Sequence, residues 1–264
     1  MTEKLYHVQL SAQDIEGAAY AILPGDPGRV SKIASHLENA RLLESNREYH
    51  SYLGELKGER VLVISTGIGG PSAAICIEEL AMLGVHTMIR VGTCGGMQLD
   101  VLAGDIVVAN AAIRMEGTSK EYLPIEFPAI SDFAVTSALK TEAEGQNLRH
   151  HIGVVHCKDS YYGQHSPMRM PVDYELINKW LAWIKGGALA SEMETAALFS
   201  VSSTLRVRAG AVMLCVWNQE RVLAGLPQQE VHDTEGAIRV AIGALKRLIG
   251  QDKEQMDANG VIKK

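Results

Sequence analysis

Two arginines stand beside glycine-rich turns in otherwise apolar surroundings. Arg29 closes the segment Leu23-Pro-Gly-Asp-Pro-Gly-Arg29, and Arg90 opens Arg90-Val-Gly-Thr-Cys-Gly-Gly96. A guanidinium inside an apolar strand is expensive to desolvate. Arg90 therefore needs either a structural carboxylate, Glu194 or Asp159 for example, or an anionic ligand. Gly25 lets backbone N–H groups come close to an anion, and Thr93 adds a hydroxyl and a backbone donor. If these groups converge, they suit phosphate without any metal. The plainer reading of the first segment is a surface turn with a solvated arginine.

Two further segments complement an anion site. Ala190-Ser-Glu-Met-Glu-Thr-Ala-Ala197 reads as the opening of a helix, with Ser191 as its cap and Glu192 favoured near the helix N-terminus. Glu194 is followed by small apolar residues that imply close packing, and its carboxylate can accept two hydrogen bonds from a vicinal diol such as ribose. Met193 would then lie against the sugar face. Lys158-Asp-Ser-Tyr-Tyr-Gly-Gln164 offers aromatics and an amide that can donate and accept in parallel, as a flat base edge requires. Ser65-Thr-Gly-Ile-Gly-Gly-Pro-Ser72 carries Ser in the third glycine slot of a dinucleotide fingerprint and lacks the acidic residue that should follow, so it reads instead as a tight turn lining a small-ligand site. The histidines form no metal-binding spacing, and no GxSxG elbow is present.

The elements that must hold these residues are short apolar runs alternating with helical patterns. Ala19–Leu23, Val61–Ser65, Met88–Val91, Ile106–Ala109, Ile152–Cys157 and Ala209–Val216 read as strands, continuous rather than alternating in character, as in a sheet covered on both faces. Ser72–Leu83, Tyr174–Trp183, Glu192–Leu205 and Thr234–Ile249 carry helical spacing. Tyr49–Leu56 alternates and reads as an antiparallel edge. The pattern predicts an α/β fold around a mixed sheet, one domain over residues 1–250 and a polar, frayed tail over 251–264. Ligands in such sheets gather at the carboxyl ends of strands, where the segments above fall.

Composition excludes several classes. The 264 residues are 47% hydrophobic with a net charge of −6, which gives no general footprint for nucleic acid or an anionic membrane. Cys76, Cys94, Cys157 and Cys215 form no CxxC pair, which argues for buried thiols in a reducing compartment. No signal-peptide core or bilayer-length apolar run is seen, so the expected location is the cytoplasm.

Taken in order, PGDPGR, STGIGGPS, RVGTCGG, YYGQ and SEMETAAL resemble the nucleoside phosphorylase family, whose members act on purine nucleosides or on uridine. The resemblance runs from His7 to about Leu248. It implies a three-layer α/β/α sandwich and cleavage of the N-glycosidic bond by orthophosphate, with no cofactor in the chemistry. It assigns Gly25, Arg29, Arg90 and Thr93 to phosphate, and Met193 and Glu194 to ribose. Arg47 and His7 are similar to residues that reach a neighbouring subunit's site, which implies a homo-oligomer, a hexamer built as a trimer of dimers. Tyr161 falls at the base-stacking position and Gln164 at that of the pyrimidine-reading amide. Arg169 or Arg221 would sit near the base carbonyl, with Gln219 in place of Arg221 by simple register. Glu48, Ile68 and Ser72 fall where the family can hold a potassium ion between subunits. The purine enzymes carry an aspartate after the last strand. Here that segment reads Trp217-Asn218, and asparagine is no proton donor of this kind. The expectation is phosphorolysis of uridine to uracil and ribose 1-phosphate, ahead of a purine or broad-specificity phosphorylase. Behind both stand a hydrolytic nucleosidase of the same fold and a non-enzymatic nucleoside-binding protein.

Overall fold

The computed structural model describes residues 3–259. Its strands are β1 (Tyr20–Pro24), β2 (Glu38–Asn46), β3 (Tyr49–Leu56), β4 (Glu59–Ile64), β5 (Thr87–Gly96), β6 (Ile106–Met115), β7 (Ala129–Ile130), β8 (His150–Lys158), β9 (Ala190–Glu192) and β10 (Arg208–Asn218). Between them lie α1 (Val30–Ala34), α2 (Gly70–Met82), α3 (Thr118–Tyr122), α4 (Phe133–Gly145), α5 (Tyr161–His165), α6 (Asp173–Lys185), α7 (Thr195–Leu205), α8 (Gln219–Leu223) and α9 (Glu235–Asn259).

One mixed sheet joins the strands. β2, β3 and β4 are antiparallel, while β4, β1, β5 and β10 run parallel. β5 pairs with β1, β10 and β9, and the pairings β5–β10–β6–β8–β9–β5 close a ring at one end of the sheet. The edge expected at Tyr49–Leu56 is instead β2, which shields β3 from solvent.

The continuous apolar strands feed two cores, one on each face. Ala21 and Leu23 of β1 and Leu62 and Ile64 of β4 join the core beneath α2 and α7. Tyr20, Ile22, Val61 and Val63 join the core beneath α1, α4 and α9. This is the three-layer arrangement expected. The alternation fixes Arg90: two residues beyond Met88, it points to the α7 side of the sheet.

Local chemistry sets the helix ends. Pro71 lies in the first turn of α2, and Asp132 caps α4 by accepting the Val135 N–H at 3.0 Å. Helix α7 begins at Thr195, so Ser191 is a strand residue and not its cap. The frayed tail is also corrected: α9 continues to Asn259, and residues 260–264 lie outside the described residues.

Asp252 docks that helix onto the sheet. It accepts from Arg208 Nη1 at 2.9 Å and from Tyr20 Oη at 2.8 Å, with Arg208 Nη2 on the same carboxylate. Burial alone would raise the Asp252 carboxyl, but the Arg208 and Tyr20 hydrogen bonds outweigh it and hold it below the usual value. Asp252→Asn is expected to lower unfolding stability by about 1.5–3 kcal/mol at neutral pH, measured by urea denaturation. Because the folded-state value is depressed, this contribution is complete above about pH 4 and fades as pH falls through the lowered value. A variant as stable as wild type at pH 7 would show that α9 is held by apolar packing alone.

Candidate active site

A cavity of about 1110 Å³ opens at the carboxyl ends of β1, β5, β8 and β10. It is lined by Gly25, Arg29, Arg90 and Thr93, by Met193 and Glu194, and by Tyr161 and Gln164. The structure thus brings together residues from each of the segments that carry the resemblance. The turn Gly67-Ile68 and the side chain of Glu48 form another part of its wall.

The anion seat is built around Arg90, which is 5% exposed. Its Nη2 donates to Glu194 Oε2, and its Nε lies 3.7 Å from Glu192 Oε2. The structural partners are therefore Glu194 and Glu192; Asp159 instead accepts the Gly117 N–H at 2.9 Å. Arg90 Nε and Nη1 nevertheless have no hydrogen-bond partner among the described residues. Arg29 approaches from β1, anchored by a 3.2 Å bond from Nη1 to the Val91 carbonyl. Burial first, and then the charge of Arg90, lower the Arg29 pKa. Two guanidinium groups held this close, one with spare buried N–H groups, form a place for an anion.

Gly25 lies between them. A Cβ there would meet the Gly67 carbonyl oxygen at 3.3 Å, Arg90 Nη1 at 3.6 Å and Arg29 Nη2 at 3.7 Å. It would fill the space that the two forks face.

Glu194 connects the anion seat to the rest of the cavity. Its Oε1 accepts the N–H of Gly69 at 2.7 Å, a glycine held at φ +95°. Both carboxylate oxygens are thus oriented by fixed donors and keep lone pairs for hydroxyl donors. Glu192 works differently: its carboxylate accepts the N–H of Glu194 at 2.8 Å and of Thr195 at 3.0 Å, closing the start of α7. Burial, and then the charge of Glu194, raise its pKa.

At the far end an aromatic wall stands beside Gln164. The ring of Tyr161 lies 4.3 Å from that of His165, which is 6.1 Å from that of Trp217. Burial lowers the His165 pKa, with Lys158 adding to the effect, so the imidazole is neutral at physiological pH. Gln164 Oε1 accepts from Ser191 Oγ at 2.7 Å, and Ser191 Oγ accepts from Lys158 Nζ at 2.8 Å.

Several of the residues singled out by sequence lie outside this cavity. Arg169 is exposed and stacks over Tyr162 at 5.8 Å. Arg221 turns its guanidinium to the carbonyls of Leu99 at 2.7 Å and Pro227 at 3.0 Å, while Gln219 lines the cavity. Arg47 and His7 share a separate patch: Arg47 lies 6.0 Å over Tyr6, and Asn46 Nδ2 donates to the His7 carbonyl at 2.7 Å. Asn218 faces the scaffold, donating to the carbonyls of Gln98 and Val101, both at 2.8 Å, and capping α8. Ser72 Oγ meets Glu48 Oε1 at 2.9 Å, next to Ile68.

Sequence reasoning left out Lys158, His165 and Trp217, and gave Ser191 only a capping role. Lys158 carries a usable signal, a cation at the end of an apolar strand, much as Arg90 is a cation within one. Ser191 has none, since its partners lie about 30 positions away.

A family model described as the phosphorylase superfamily matches residues 19–247. Uridine phosphorylase from Treponema pallidum (strain Nichols) is 59% identical over 251 residues, which cover 95% of this chain and 96% of that protein. Uridine phosphorylase from Escherichia coli (strain K12) is 37% identical, over 93% of this chain and 98% of that protein. A guanosine phosphorylase from Halorubrum lacusprofundi is also 37% identical, over 86% and 93%. The chain belongs to the phosphorylase superfamily.

Gly25→Ala should weaken binding of inorganic phosphate by roughly 10- to 100-fold in calorimetry, about 1.4–2.8 kcal/mol, while the thermal midpoint stays close to wild type. Unchanged phosphate affinity would place the anion away from the Arg29–Arg90 pair.

Proposed function

We propose that this chain is a uridine phosphorylase, a pentosyltransferase that converts uridine and orthophosphate reversibly to uracil and ribose 1-phosphate. One observation carries the reading: a single cavity joins an arginine pair of which Arg90 keeps unpartnered buried N–H groups, a buried carboxylate and an amide braced from behind. Uridine phosphorylases 36–59% identical over nearly the whole chain support it. At the end of β10 the chain has Asn218 and Gln219 where the purine enzymes carry an aspartate, and neither amide can donate a proton in that way, which supports a pyrimidine over a purine; Glu230 also lines the cavity, but eleven positions beyond Gln219.

In this reading phosphate sits on Arg29, Arg90 and Thr93 beside Gly25. Glu194 accepts hydrogen bonds from the ribose 2′- and 3′-hydroxyls, with Met193 against the sugar. Tyr161 stacks on the base, and Gln164 meets its carbonyl edge. The C1′–N1 bond breaks toward an oxocarbenium-like ribosyl, the electron pair leaves on uracil, and a phosphate oxygen bonds to C1′ from the opposite face. Holding the phosphate aimed at C1′ supplies proximity, and donors fixed on the base stabilise its developing charge. Uracil then takes a proton from solvent. A role in nucleoside salvage and catabolism, in a reducing cytoplasm that suits four buried free thiols, belongs with this reading.

We further infer a homo-oligomer, a hexamer arranged as a trimer of dimers. His7 and Arg47 lie together, away from their own cavity, where they suit a neighbour's. Glu48 and Ser72, whose side-chain oxygens meet at 2.9 Å, together with the neighbouring Ile68 would form one half of a potassium site completed by a second subunit.

Turnover of uridine, thymidine and inosine is to be measured with and without phosphate. The expected result is uridine cleavage that requires phosphate. Preference for inosine would replace the pyrimidine assignment with a purine one, and phosphate-independent cleavage would make the protein a nucleosidase. Gln164→Ala should lower kcat/KM for uridine by roughly 10²- to 10³-fold and leave phosphate affinity nearly unchanged. For assembly, Arg47→Ala and Arg90→Ala subunits, each inactive alone, should regain partial activity when mixed and reassembled. A fully active monomer by light scattering would rule the shared site out.

A further inference from the structure

We propose that Lys158 is the cation that answers the leaving base's negative charge in this chain, as a positioning residue acting through Ser191 and Gln164. The inference rests on the uridine phosphorolysis reading of the cavity and names the group that makes the base leave.

Heterolysis of the C1′–N1 bond leaves negative charge on the base, and a cation near the base carbonyls would stabilise it. Neither arginine suggested by the sequence is in place: Arg169 stacks on Tyr162, and Arg221 is spent on the Leu99 and Pro227 carbonyls. Arg29 and Arg90 are both committed to the opposite end, beside Gly25. Lys158 stands at the Gln164 end of the cavity, at the last position of β8.

Its surroundings are unusual for a buried ammonium. Lys158 is 6% exposed, and its Nζ donates to Ser191 Oγ at 2.8 Å and to the Glu192 carbonyl at 3.4 Å. Both acceptors are neutral, and among the described residues no carboxylate oxygen lies within 4.0 Å of Nζ. The carboxylate groups of Glu192 and Glu194 are nearby but already engaged by the start of α7, Arg90 and Gly69. A buried charge without a counter-charge in contact is strongly penalised. Negative charge that develops on the base during the reaction would relieve that penalty, so it acts in the transition state more than in the ground state.

The direction of the hydrogen bonds carries the charge to the base. An ammonium only donates, so Lys158 gives a proton to Ser191 Oγ. Gln164 Oε1 only accepts, so the single Ser191 proton goes to it, at 2.7 Å. His156 Nδ1 also lies 3.0 Å from Ser191 Oγ. Burial, and then the charge of Lys158, push the His156 pKa down to about 3, so the ring is neutral; its Nε2 faces Met115 Sδ at 3.2 Å, and of the two contacts of Ser191 Oγ with possible acceptors the shorter one, to Gln164 Oε1, takes the serine proton. The order is therefore cation to hydroxyl to amide oxygen. It pins the Gln164 amide with its Nε2–H₂ turned from Ser191, and polarisation along the chain strengthens those two donors.

The test compares uridine with 5-fluorouridine, whose base leaves as a more stable anion. Steady-state kinetics at saturating phosphate are measured for wild type, Lys158→Met and Ser191→Ala. Lys158→Met should lower kcat/KM for uridine by roughly 10²- to 10³-fold but for 5-fluorouridine by only about tenfold, so preference for the fluorinated substrate rises at least tenfold. Ser191→Ala should shift the same ratio in the same direction by a smaller factor, with the phosphate KM within about threefold of wild type. Equal losses on both substrates would mark Lys158 as structural, and an unaffected Lys158→Met would remove it from the reaction. Should Lys158→Met lose its circular-dichroism signature of folding, Ser191→Ala decides, and an unchanged ratio there overturns the proposal. The wild-type rates separately test the parent reading: no phosphate-dependent uridine turnover overturns both.

Discussion

The structure is organised around the burial of one guanidinium. Arg90 sits in the middle of the sheet, on the α7 side, where an arginine survives only if neighbouring groups replace the water it has lost. Glu194 and Glu192 do part of this, and the rest is left to whatever enters the cavity. The two carboxylates need restraint in turn. Glu192 takes the first N–H groups of α7, and Glu194 takes the N–H of Gly69 from the turn before α2. Two helices on one face of the sheet are thereby tied to the same cation, and Arg29 is added from the neighbouring strand. Ground-state stability and the capacity to hold an anion draw on the same set of atoms.

A second buried cation repeats the arrangement at the other end of the cavity. Lys158 and Arg90 come from different strands, yet both face residues 191–194, just ahead of α7. Within that short segment Glu192 reaches back to the start of α7, while Ser191, Met193 and Glu194 line the cavity. Four consecutive residues therefore set the spacing between the Arg29–Arg90 pair and the Gln164 amide.

Much of this is legible in the sequence because buried parallel strands read as unbroken apolar runs, and because the turns at their ends carry the glycines and arginines. The strands β1, β4, β8 and β10 stand out in this way, as do the residues from Gly25 to Thr93 that line the anion seat. Strand β2 does not, since Glu38–Asn46 is polar and mostly exposed, with pairing to β3 in place of a core. Strand β5 runs on through Gly95 and Gly96, which read as loop, because β9 and β10 hydrogen-bond that stretch from both sides. The inward turn of Gln219 and the outward turn of Arg221 follow from Asn218, whose amide is fixed by two carbonyls more than 100 positions away. No local pattern encodes such a contact, and the same is true of Ser191.

The closed ring of strands also dictates when the cavity can exist during folding. Strand β5 must wait for β9 and β10, and Arg90 and Glu194 are separated by 104 positions. Loop closure over such distances is slow, and it is favourable only after several contacts form together. A chain emerging from the ribosome can assemble β1 to β4 from neighbouring segments, but it cannot complete the anion seat until Glu194 has been synthesised, nor close the ring of strands until β10 ends at Asn218. Until Glu192 and Glu194 arrive, Arg90 has no carboxylate to face, so the central strand cannot bury it before the segment ahead of α7 is in place. The site is a late product of the folding reaction, and catalytic competence reports that the whole sheet has closed.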